Sequence, residues 1–356
     1  MSVGRRGGTR ARPEQPGTER HTVTVRTATI YDVAAHAEVS ISTVSQTLNR
    51  PERVNAATRD RVLAAISELG YVPKAAAVHN ARRGVGRIGV LAPFTSYDSY
   101  HRRLMGVLEE TDDTAREIVV YDHESAAASV SPLLRTLPVT GRLDGLLIMG
   151  LPVDDALADH LLTRGLPTVL VDSHRREFST VNIDDEAGGA LIARHLLERG
   201  HTSFAFVQNP QQSFEFLSQG QRRNMGFLRV LAEAGLVGDR VPTVLTGNDI
   251  ASGDRVLREL LALQPRPTAV FAHHDVLAAA LLLACRRNGI TVPTELAIAG
   301  FDDGPIAEAV GLSTVHQAFE ESGTVGTRLL NELIARESGP VQHITIGLEL
   351  VVRDTT

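Results

Sequence analysis

The sequence predicts a small all-helical N-terminal headpiece followed by a larger α/β domain of two lobes with doubly wound parallel sheets. Three observations support this fold class. Apolar residues recur at helical spacing between residues 29 and 70. Beyond residue 87, short apolar strands alternate with amphipathic helices. The chain has 356 residues, of which 43% are hydrophobic, so it is long enough to build more than one core.

The N-terminal pattern predicts three short helices. Thr29 begins a Thr-x-x-Asp cap, and the apolar side chains that follow it share one helix face. Ser40 and Asn55 stand where the N-cap residues of the second and third helices belong, and Gly70 stands at the left-handed position that ends a helix. Two short helices joined by a tight turn, with a third behind them, form a minimal helix-turn-helix headpiece.

The remaining chain repeats the order of apolar strand, turn and helix, which is typical of parallel doubly wound sheets. Eight strands are predicted, which is more than one sheet of about five or six strands holds. Two lobes that face each other across a cleft are therefore expected. Ligands bind at the carboxyl ends of the strands in such folds. The predicted strands are 88–92, 118–121, 145–149, 168–171, 204–207, 241–246, 269–272 and 296–299.

Composition and charge restrict the cellular setting. No run of 18 apolar residues occurs, the N-terminal residues 1–26 are polar and basic, and Cys285 is the single cysteine. These features predict a cytoplasmic protein without a membrane span. Residues 1–87 hold 14 basic and 7 acidic side chains, whereas residues 88–356 hold 22 and 35, so the net charges are +7 and −13. A polyanion is therefore attracted to the N-terminal part alone.

Residues 1–27 mix Gly, Pro, Thr and six arginines without hydrophobic periodicity. Such a segment buries too little apolar surface to offset the entropy cost of ordering, so a disordered basic arm is predicted. It is either a tail without a role or a source of non-specific DNA affinity.

The N-terminal motifs resemble the DNA-binding headpiece of the LacI/GalR family of bacterial transcription regulators. The matching motifs are TIYDVA at 29–34, VSISTVS at 39–45, Asn49, TR at 58–59 and LGYVP at 69–73. The resemblance implies that Ser42 and Gln46 read base edges in the major groove. It also implies phosphate-contacting or helix-positioning roles for Tyr31, Ser40, Thr43, Asn49, Arg53 and Asn55.

Gln46 departs from the arginine that the family usually has at this position. Arginine pairs with guanine O6 and N7, whereas glutamine pairs best with adenine N6 and N7. We therefore expect a half-site that differs from the usual family operator at this base pair.

The segment 73–87 occupies the place of the family's hinge helix, which wedges a leucine into the minor groove. Asn80 stands at that leucine position and cannot supply the apolar wedge that supports unstacking. Either the complex is less bent and relies on Arg82 and Arg83 for backbone contacts, or Asn80 lies in a plain linker.

Motifs of the large domain continue the resemblance to residue 354 and imply a periplasmic-binding-protein-like effector domain. They are VNIDD at 181–185, GGA at 188–190, HLLERGH at 195–201, RNMGF at 223–227, PTAVFAHHD at 267–275, VP at 292–293 and GFDD at 300–303. The predicted domains are the arm 1–27, the headpiece 28–72, the hinge 73–87 and the effector domain 88–356. Within the last, lobe 1 takes 88–186 and 317–341, and lobe 2 takes 187–316 and 342–356.

By the same resemblance, Arg223 and Asp275 match the pair that typically hydrogen-bonds the effector. A plain ion pair between the lobes is the alternative for them. Asp172, at a strand end, is a further candidate, and Tyr97 or Tyr100 is expected to stack on a ligand ring. These groups suit a sugar or a nucleobase-like molecule.

The sequence offers no catalytic constellation. The Gly-rich segment 84–86 precedes a strand instead of following one, so it does not fit a dinucleotide-binding loop. His195, His201, His273 and His274 lack the spacing of a zinc site, and no nucleophile elbow occurs. We therefore expect no enzyme activity, no cofactor and no metal.

Together these features predict a homodimeric repressor that binds near-palindromic operator DNA under the control of a small molecule held between the lobes. Two alternatives also fit these features. One is a cytosolic small-molecule-binding protein, and the other is a corepressor-dependent regulator with altered DNA readout.

Overall fold

The computed structural model describes residues 28–71, 86–95, 97–114, 116–123, 143–211, 217–236, 241–247, 249–336 and 339–356. The predicted basic arm 1–27, and Asn80 with most of the hinge, lie outside these ranges. The last two hinge residues, Gly86 and Arg87, belong to the first strand of the large domain.

The headpiece contains helices α1 (Ile30–His36), α2 (Ile41–Asn49) and α3 (Ala56–Leu69), with a 3₁₀ turn at Pro51–Arg53. Local side chains set their ends. Thr29 and Asp32 form a capping box at α1. Ser40 and Asn55 cap α2 and α3, and Gly70 ends α3 in the left-handed conformation with φ of 59°.

The apolar faces of these three helices meet in one small core. Its fully buried members are Val33, Val44, Val62, Leu63, Ala65 and Ile66. Isolated helices of this length are unstable in water, so the three helices depend on this shared core for stability. Burial of these side chains also fixes how α2 lies on α1 and α3.

Lobe 1 is built on a six-stranded parallel sheet in the order β11-β5-β4-β3-β1-β2. Its strands are β1 (Gly86–Ala92), β2 (Arg116–Asp122), β3 (Gly145–Met149), β4 (Thr168–Val171), β5 (Ser179–Ile183) and β11 (His343–Ile346). Its helices are α4 (Ser99–Thr111), α5 (Asp155–Thr163) and α11 (Phe319–Arg336).

Lobe 2 has a four-stranded parallel sheet in the order β7-β6-β8-β9 and an antiparallel pair, β10-β12. Its strands are β6 (Phe204–Gln208), β7 (Thr243–Leu245), β8 (Ala269–Ala272), β9 (Ala297–Ala299), β10 (Thr314–Gln317) and β12 (Leu348–Val351). Its helices are α6 (Asp185–Glu198), α7 (Gln219–Glu233), α8 (Gly253–Ala262), α9 (Asp275–Arg287) and α10 (Pro305–Val310), with a 3₁₀ turn at Ile250–Ser252.

The expected fold class is confirmed, with one difference in the lobe boundaries. The sequence assigns 342–356 to lobe 2, but β11 pairs in parallel with β5 of lobe 1. The chain therefore crosses between lobes after β5, after β10 and at Gly347, between β11 and β12. Four short strands, β5, β10, β11 and β12, are absent from the sequence prediction.

Helices α6 and α7 approach each other closely and so place the side chains of α7. A Cβ atom on Gly189 would lie 1.9 Å from the carbonyl oxygen of Arg223, and one on Gly226 would lie 1.9 Å from that of Glu186. Glycine at both positions permits this contact, which holds Arg223 at the boundary between the lobes.

Candidate DNA interface and effector cleft

The headpiece presents a concave surface of about 420 Å³ between the N-termini of α2 and α3. The Ser40 hydroxyl accepts from the Thr43 backbone N–H at 3.1 Å and lies 2.7 Å from the Ser42 hydroxyl. The Asn55 amide oxygen accepts from the Thr58 N–H at 2.9 Å. Two helix N-termini thus point their positive ends at one surface, an arrangement that attracts phosphate.

Most of the side chains around this surface are accessible to solvent. Ser42, Gln46 and Arg53 are exposed, and Tyr31 on α1 is 69% exposed. Thr43 is half-buried. The last residue of α2 is Asn49. The surface brings Ser40, Thr43, Gln46, Arg53 and Asn55 together.

A cavity of about 170 Å³ lies between the lobes at the carboxyl ends of their strands. Lobe 1 contributes Tyr97, Tyr100, Arg103 and Asp172, and lobe 2 contributes Arg223 to the same cavity. The other described lining residues include Gln208, Asn209, Gln211, Gln219, His273, His274, Asp302, Gln317 and Phe319.

Arg103 and Asp172 form a buried ion pair on the lobe 1 side of the cavity. The guanidinium also stacks on the rings of Tyr100 and Phe319, at 5.1 and 4.4 Å from their centroids. Its Nε atom is buried and has no hydrogen-bond partner among the described residues. Asp172 stands directly after β4 with φ of 52°, so the strand end directs its carboxylate at α4.

Arg223 forms the corresponding group on the lobe 2 side. Its Nε donates to Asp185 at 2.9 Å, its Nη1 donates to the His273 carbonyl at 2.5 Å, and its guanidinium lies 3.7 Å from the Phe301 ring centroid. The Oδ1 atom of Asp302 lies 3.6 Å from Nη1 of Arg223. Burial raises the pKa of Asp185 to about 6, although the Arg223 charge opposes that shift.

The adjacent histidines His273 and His274 converge on Asn209. Their Nε2 atoms lie 2.9 and 3.1 Å from the Asn209 amide oxygen. Burial is the main cause of a His274 pKa lowered to about 3 and of a His273 pKa lowered well below its ordinary value, with the Arg223 charge adding to both. Both rings are therefore neutral hydrogen-bonding groups near neutral pH.

Tyr97 and Tyr100 both line the cavity. Tyr97 is half-buried, and its ring meets that of Tyr100 edge-on at 6.3 Å. Burial, followed by the nearby Asp172 charge, raises the pKa of the Tyr100 phenol, so this group keeps its proton. Tyr97 is thus the more accessible of the two rings, since Tyr100 is buried.

Asp275 differs from the sequence prediction. Its carboxylate accepts from the Thr314 hydroxyl at 2.6 Å and from the Gly304 N–H at 2.9 Å, and it lies behind the cavity wall. These partners belong to segments around β10 and α10, so Asp275 holds the wall of lobe 2 in place. Asp302 lines the cavity instead, where Gln317 donates to it at 2.7 Å.

Several cavity residues escaped sequence reasoning. In the sequence, Arg103 has the pattern of an ordinary charged residue of an amphipathic helix. Phe319 has that of a residue at the start of another helix. Asp302 lies three residues after the last residue of β9, and this position is the signal that could have identified it, because ligand groups gather beyond strand ends. Gln219 also bridges the lobes, donating to the Asp172 carbonyl at 3.2 Å.

Comparison with known proteins assigns the chain to a family. Residues 29–74 match the bacterial regulatory proteins of the lacI family, and residues 193–356 match a periplasmic binding protein-like domain. The chain is 31% identical over 339 residues to the HTH-type transcriptional regulator DegA of Bacillus subtilis, covering 92% of this chain and 98% of that protein. This chain belongs to the LacI family.

Other relatives agree with that assignment. The HTH-type transcriptional repressor PurR of Erwinia tasmaniensis is 31% identical and covers 92% of this chain, with 96% of its own length matched. The structure of a transcriptional regulator CelR-cellobiose complex is 29% identical and covers 92% of this chain and 100% of that one, with a TM-score of 0.66. The operator-bound lac repressor dimer, at 24% identity and TM-score 0.66, shows the fold.

LacI-family membership makes the chain a DNA-binding transcription regulator and not an enzyme. Within the described residues, no helix combines the length and apolar character that crossing a membrane requires. The same part of the chain holds no group of three or more His, Cys, Asp or Glu side chains arranged for a metal ion.

Proposed function

We propose that this LacI-family chain is a cytoplasmic homodimeric repressor whose affinity for a near-palindromic operator changes when a small molecule occupies the interlobe cavity. The observation that carries this proposal is the cavity lining, which comes from both lobes. A ligand that contacts both lobes favours one angle between them, and that angle couples to DNA affinity by linkage.

In this proposal the headpiece reads DNA with Ser42 and Gln46. Arg53 and the helix ends capped by Ser40 and Asn55 contact the phosphate backbone. Tyr31, Thr43 and Asn49 position the recognition helix, and the glutamine favours adenine at its base pair.

The second copy is expected to pack against lobe 1. Met105 and Leu108 on α4 and Val120 on the edge strand β2 are exposed apolar side chains on this lobe. An apolar surface of this kind suits a two-fold interface, and paired headpieces then match two half-sites.

The effector is a neutral sugar or nucleobase-like molecule. Arg103 and Arg223 are the described cations of the cavity lining, and each already has a carboxylate partner. The two histidines stay neutral, and Asp98, Asp172 and Asp302 make the described lining slightly acidic. Such a cavity repels phosphate and carboxylate groups, whereas its several amide side chains pair with hydroxyl or ring N–H groups.

We assign Tyr97 and Tyr100 to ring stacking and Asp172 and Arg223 to hydrogen bonding of the effector. The unpartnered Nε of Arg103 supplies a further donor. Asp275 acts indirectly, by holding Gly304 and Thr314 behind the wall.

Selection of bound sequences from a random duplex library, at stated salt and without ligand, tests the DNA part of the proposal. A thermal-shift panel of matched pairs, such as glucose with glucose 6-phosphate and adenosine with its monophosphate, tests the effector part. We expect an enriched palindrome and stabilisation by neutral members only. Failure to enrich any sequence contradicts the repressor proposal, and stabilisation by the phosphorylated members contradicts the effector class.

A further inference from the structure

A second cavity, of about 480 Å³, lies where the chain crosses between the lobes beside β5 and β11. It shares no lining residue with the effector cavity among the described residues. Lobe 1 supplies Thr180, Asn182 and His343, and lobe 2 supplies Arg222 from α7. It is therefore a separate recess that also contacts both lobes.

The floor of this recess is a polar sheet face. Thr180 pairs with His343, and Asn182 pairs with Thr345, in the parallel register of β5 and β11. Because side chains alternate along a strand, Val181 lies on the opposite face, in the hydrophobic core of lobe 1. The Thr180 hydroxyl lies 3.1 Å from Nδ1 of His343, so the floor consists of hydrogen-bonding groups.

Asn182 is the least satisfied group in this floor. Its side chain is 8% exposed, and its Oδ1 atom has no hydrogen-bond partner in the described structure. A buried acceptor without a donor is unfavourable, and native proteins rarely keep one without a reason. A bound molecule that donates a hydrogen bond removes this penalty.

Arg222 is the other group with unused capacity. Unlike Arg175, which pairs with Asp155 and Glu177, its side chain forms no ion pair with any carboxylate in the described ranges. The Arg222 charge adds to burial in lowering the pKa of His174, which therefore stays neutral.

Carboxylates at the rim of the recess limit the charge of a ligand. Asp185 is paired with Arg223, and Asp184 caps α6 by accepting from Ala187 at 2.9 Å. Glu186 also lines this rim, as does the exposed Arg176. A single unpaired guanidinium facing such a rim favours a monoanion over a phosphate dianion.

We propose that this recess binds a small hydroxylated carboxylate, with its carboxylate on Arg222 and a hydroxyl donating to Asn182. Thr180, His343 and Thr345 receive the remaining hydroxyls. Asp185 lines this recess and pairs with Arg223, which lines the effector cavity, so one ion pair connects the two sites. Any effect of this second ligand on operator affinity rests on the function proposed above, whereas its binding does not.

Isothermal titration of the full chain without DNA tests the proposal with D-gluconate and glycerate as probes. D-glucitol is the matched control, because it replaces the gluconate carboxylate with a hydroxymethyl group. We expect binding of a hydroxy acid at millimolar or lower concentration and at least tenfold weaker binding of glucitol. Absence of binding by both acids overturns the proposal.

Variants assign the bound acid to this recess. Arg222→Gln and Asn182→Leu are each expected to weaken its binding at least tenfold, whereas Arg229→Gln, on the exposed face of the same helix, leaves it unchanged. Asn182→Leu should not lower the melting temperature, because it removes an unsatisfied group. Tyr97→Ala alters the effector cavity and should have no effect. Binding that persists in Arg222→Gln but is lost in Tyr97→Ala overturns the assignment.

Discussion

The DNA-reading surface and the effector cavity place their polar groups in opposite settings. Around the headpiece surface, Ser42, Gln46 and Arg53 are exposed, and the caps bind backbone groups three residues away. In the cavity, Arg103 and Arg223 are buried, and their carboxylate partners lie 69 and 38 residues away in sequence. Single changes in the headpiece should therefore alter recognition locally, whereas single changes in the cavity leave a buried charge without its partner.

Arg223→Leu should have the largest effect, because it removes the cation that faces Asp185 and Asp302. Breaking a buried pair from one side costs roughly 3–5 kcal/mol, so the free energy of unfolding in urea should fall by about that amount. Arg229→Gln is the control, since its pair with Glu233 is exposed and contributes little. If both variants lost a similar free energy of unfolding, the contrast between buried and exposed charges would not hold.

The Arg103 and Asp172 pair sharpens the comparison through a double-mutant cycle. Arg103→Met and Asp172→Asn should each destabilise the protein, because each leaves one buried polar partner. Combined, they should cost less than the sum of the single changes by about 0.5–3 kcal/mol. Additive losses in urea denaturation would show that the two side chains act independently.

Gln46→Arg tests the exposed region without the complication of stability. Because Gln46 is exposed, the free energy of unfolding should change by no more than about 0.5 kcal/mol. Base preference at its position should move from adenine to guanine, with about 1–3 kcal/mol of discrimination in competition binding to paired duplexes. An unchanged base preference would refute the assigned role of Gln46.

Ser40→Ala should cost about 1 kcal/mol of stability, because the Thr43 N–H loses its acceptor at the start of α2. Operator affinity should fall with it, as the capped helix end also faces phosphate. Ser40→Gly should lower the stability less than Ser40→Ala, because glycine is tolerated at an N-cap. Since glycine also lacks the hydroxyl, the comparison separates the stability of the cap from the hydroxyl's contact with DNA. Circular dichroism and anisotropy titrations measure the two effects, and equal stability of all three proteins would contradict the cap assignment.

The remaining contrast between the two regions is in pH dependence, and it is confined to the large domain. Burial, followed by the charge of Asp302, raises the pKa of Asp275 to about 8. The contribution of Asp275 to the free energy of unfolding is fully present below its ordinary pKa and is lost as pH rises through about 8. The lowered pKa of His274 acts in the opposite direction, contributing above its ordinary pKa and losing that contribution as pH falls.

Asp275→Asn separates these contributions. The variant should gain stability relative to the unmodified protein as pH rises from 5 to about 9, because asparagine does not ionise. Urea denaturation at both ends of that range checks the trend. A constant difference between the two proteins would mean that Asp275 does not titrate as its burial requires.

Sequence reasoning succeeded where structure is determined locally. The caps at Thr29, Ser40 and Asn55 and the left-handed Gly70 depend on residues within one helical turn, so their pattern is visible in the chain. The long apolar strands of both sheets were equally recognisable. The strands β5 and β11 were not, because their sequences STVNI and HITI mix polar with apolar residues and are short. Their pairing, of β5 with β4 and of β11 with β5, is set by the tertiary fold.

The cavity was harder to predict because its residues meet only in the folded chain. Arg103 and Asp172 come from a helix and a strand end, and nothing local in either segment indicates their pairing. Asp275 carries the family's position, but its two oxygens are occupied by Gly304 and Thr314, which tertiary structure alone brings to it. Asp302, which is half-buried, lines the cavity instead.

If the cavity controls the headpiece, effector and operator each change the affinity for the other, and measuring this reciprocal linkage is the most direct test. The operator found by selection is titrated with protein in the absence and presence of the sugar or nucleoside that stabilises the protein in the thermal-shift panel. We expect that compound to change the operator Kd by at least about fivefold, and saturating operator to change the compound's Kd by the same factor. Saturation of the cavity with no change in operator Kd would contradict the account.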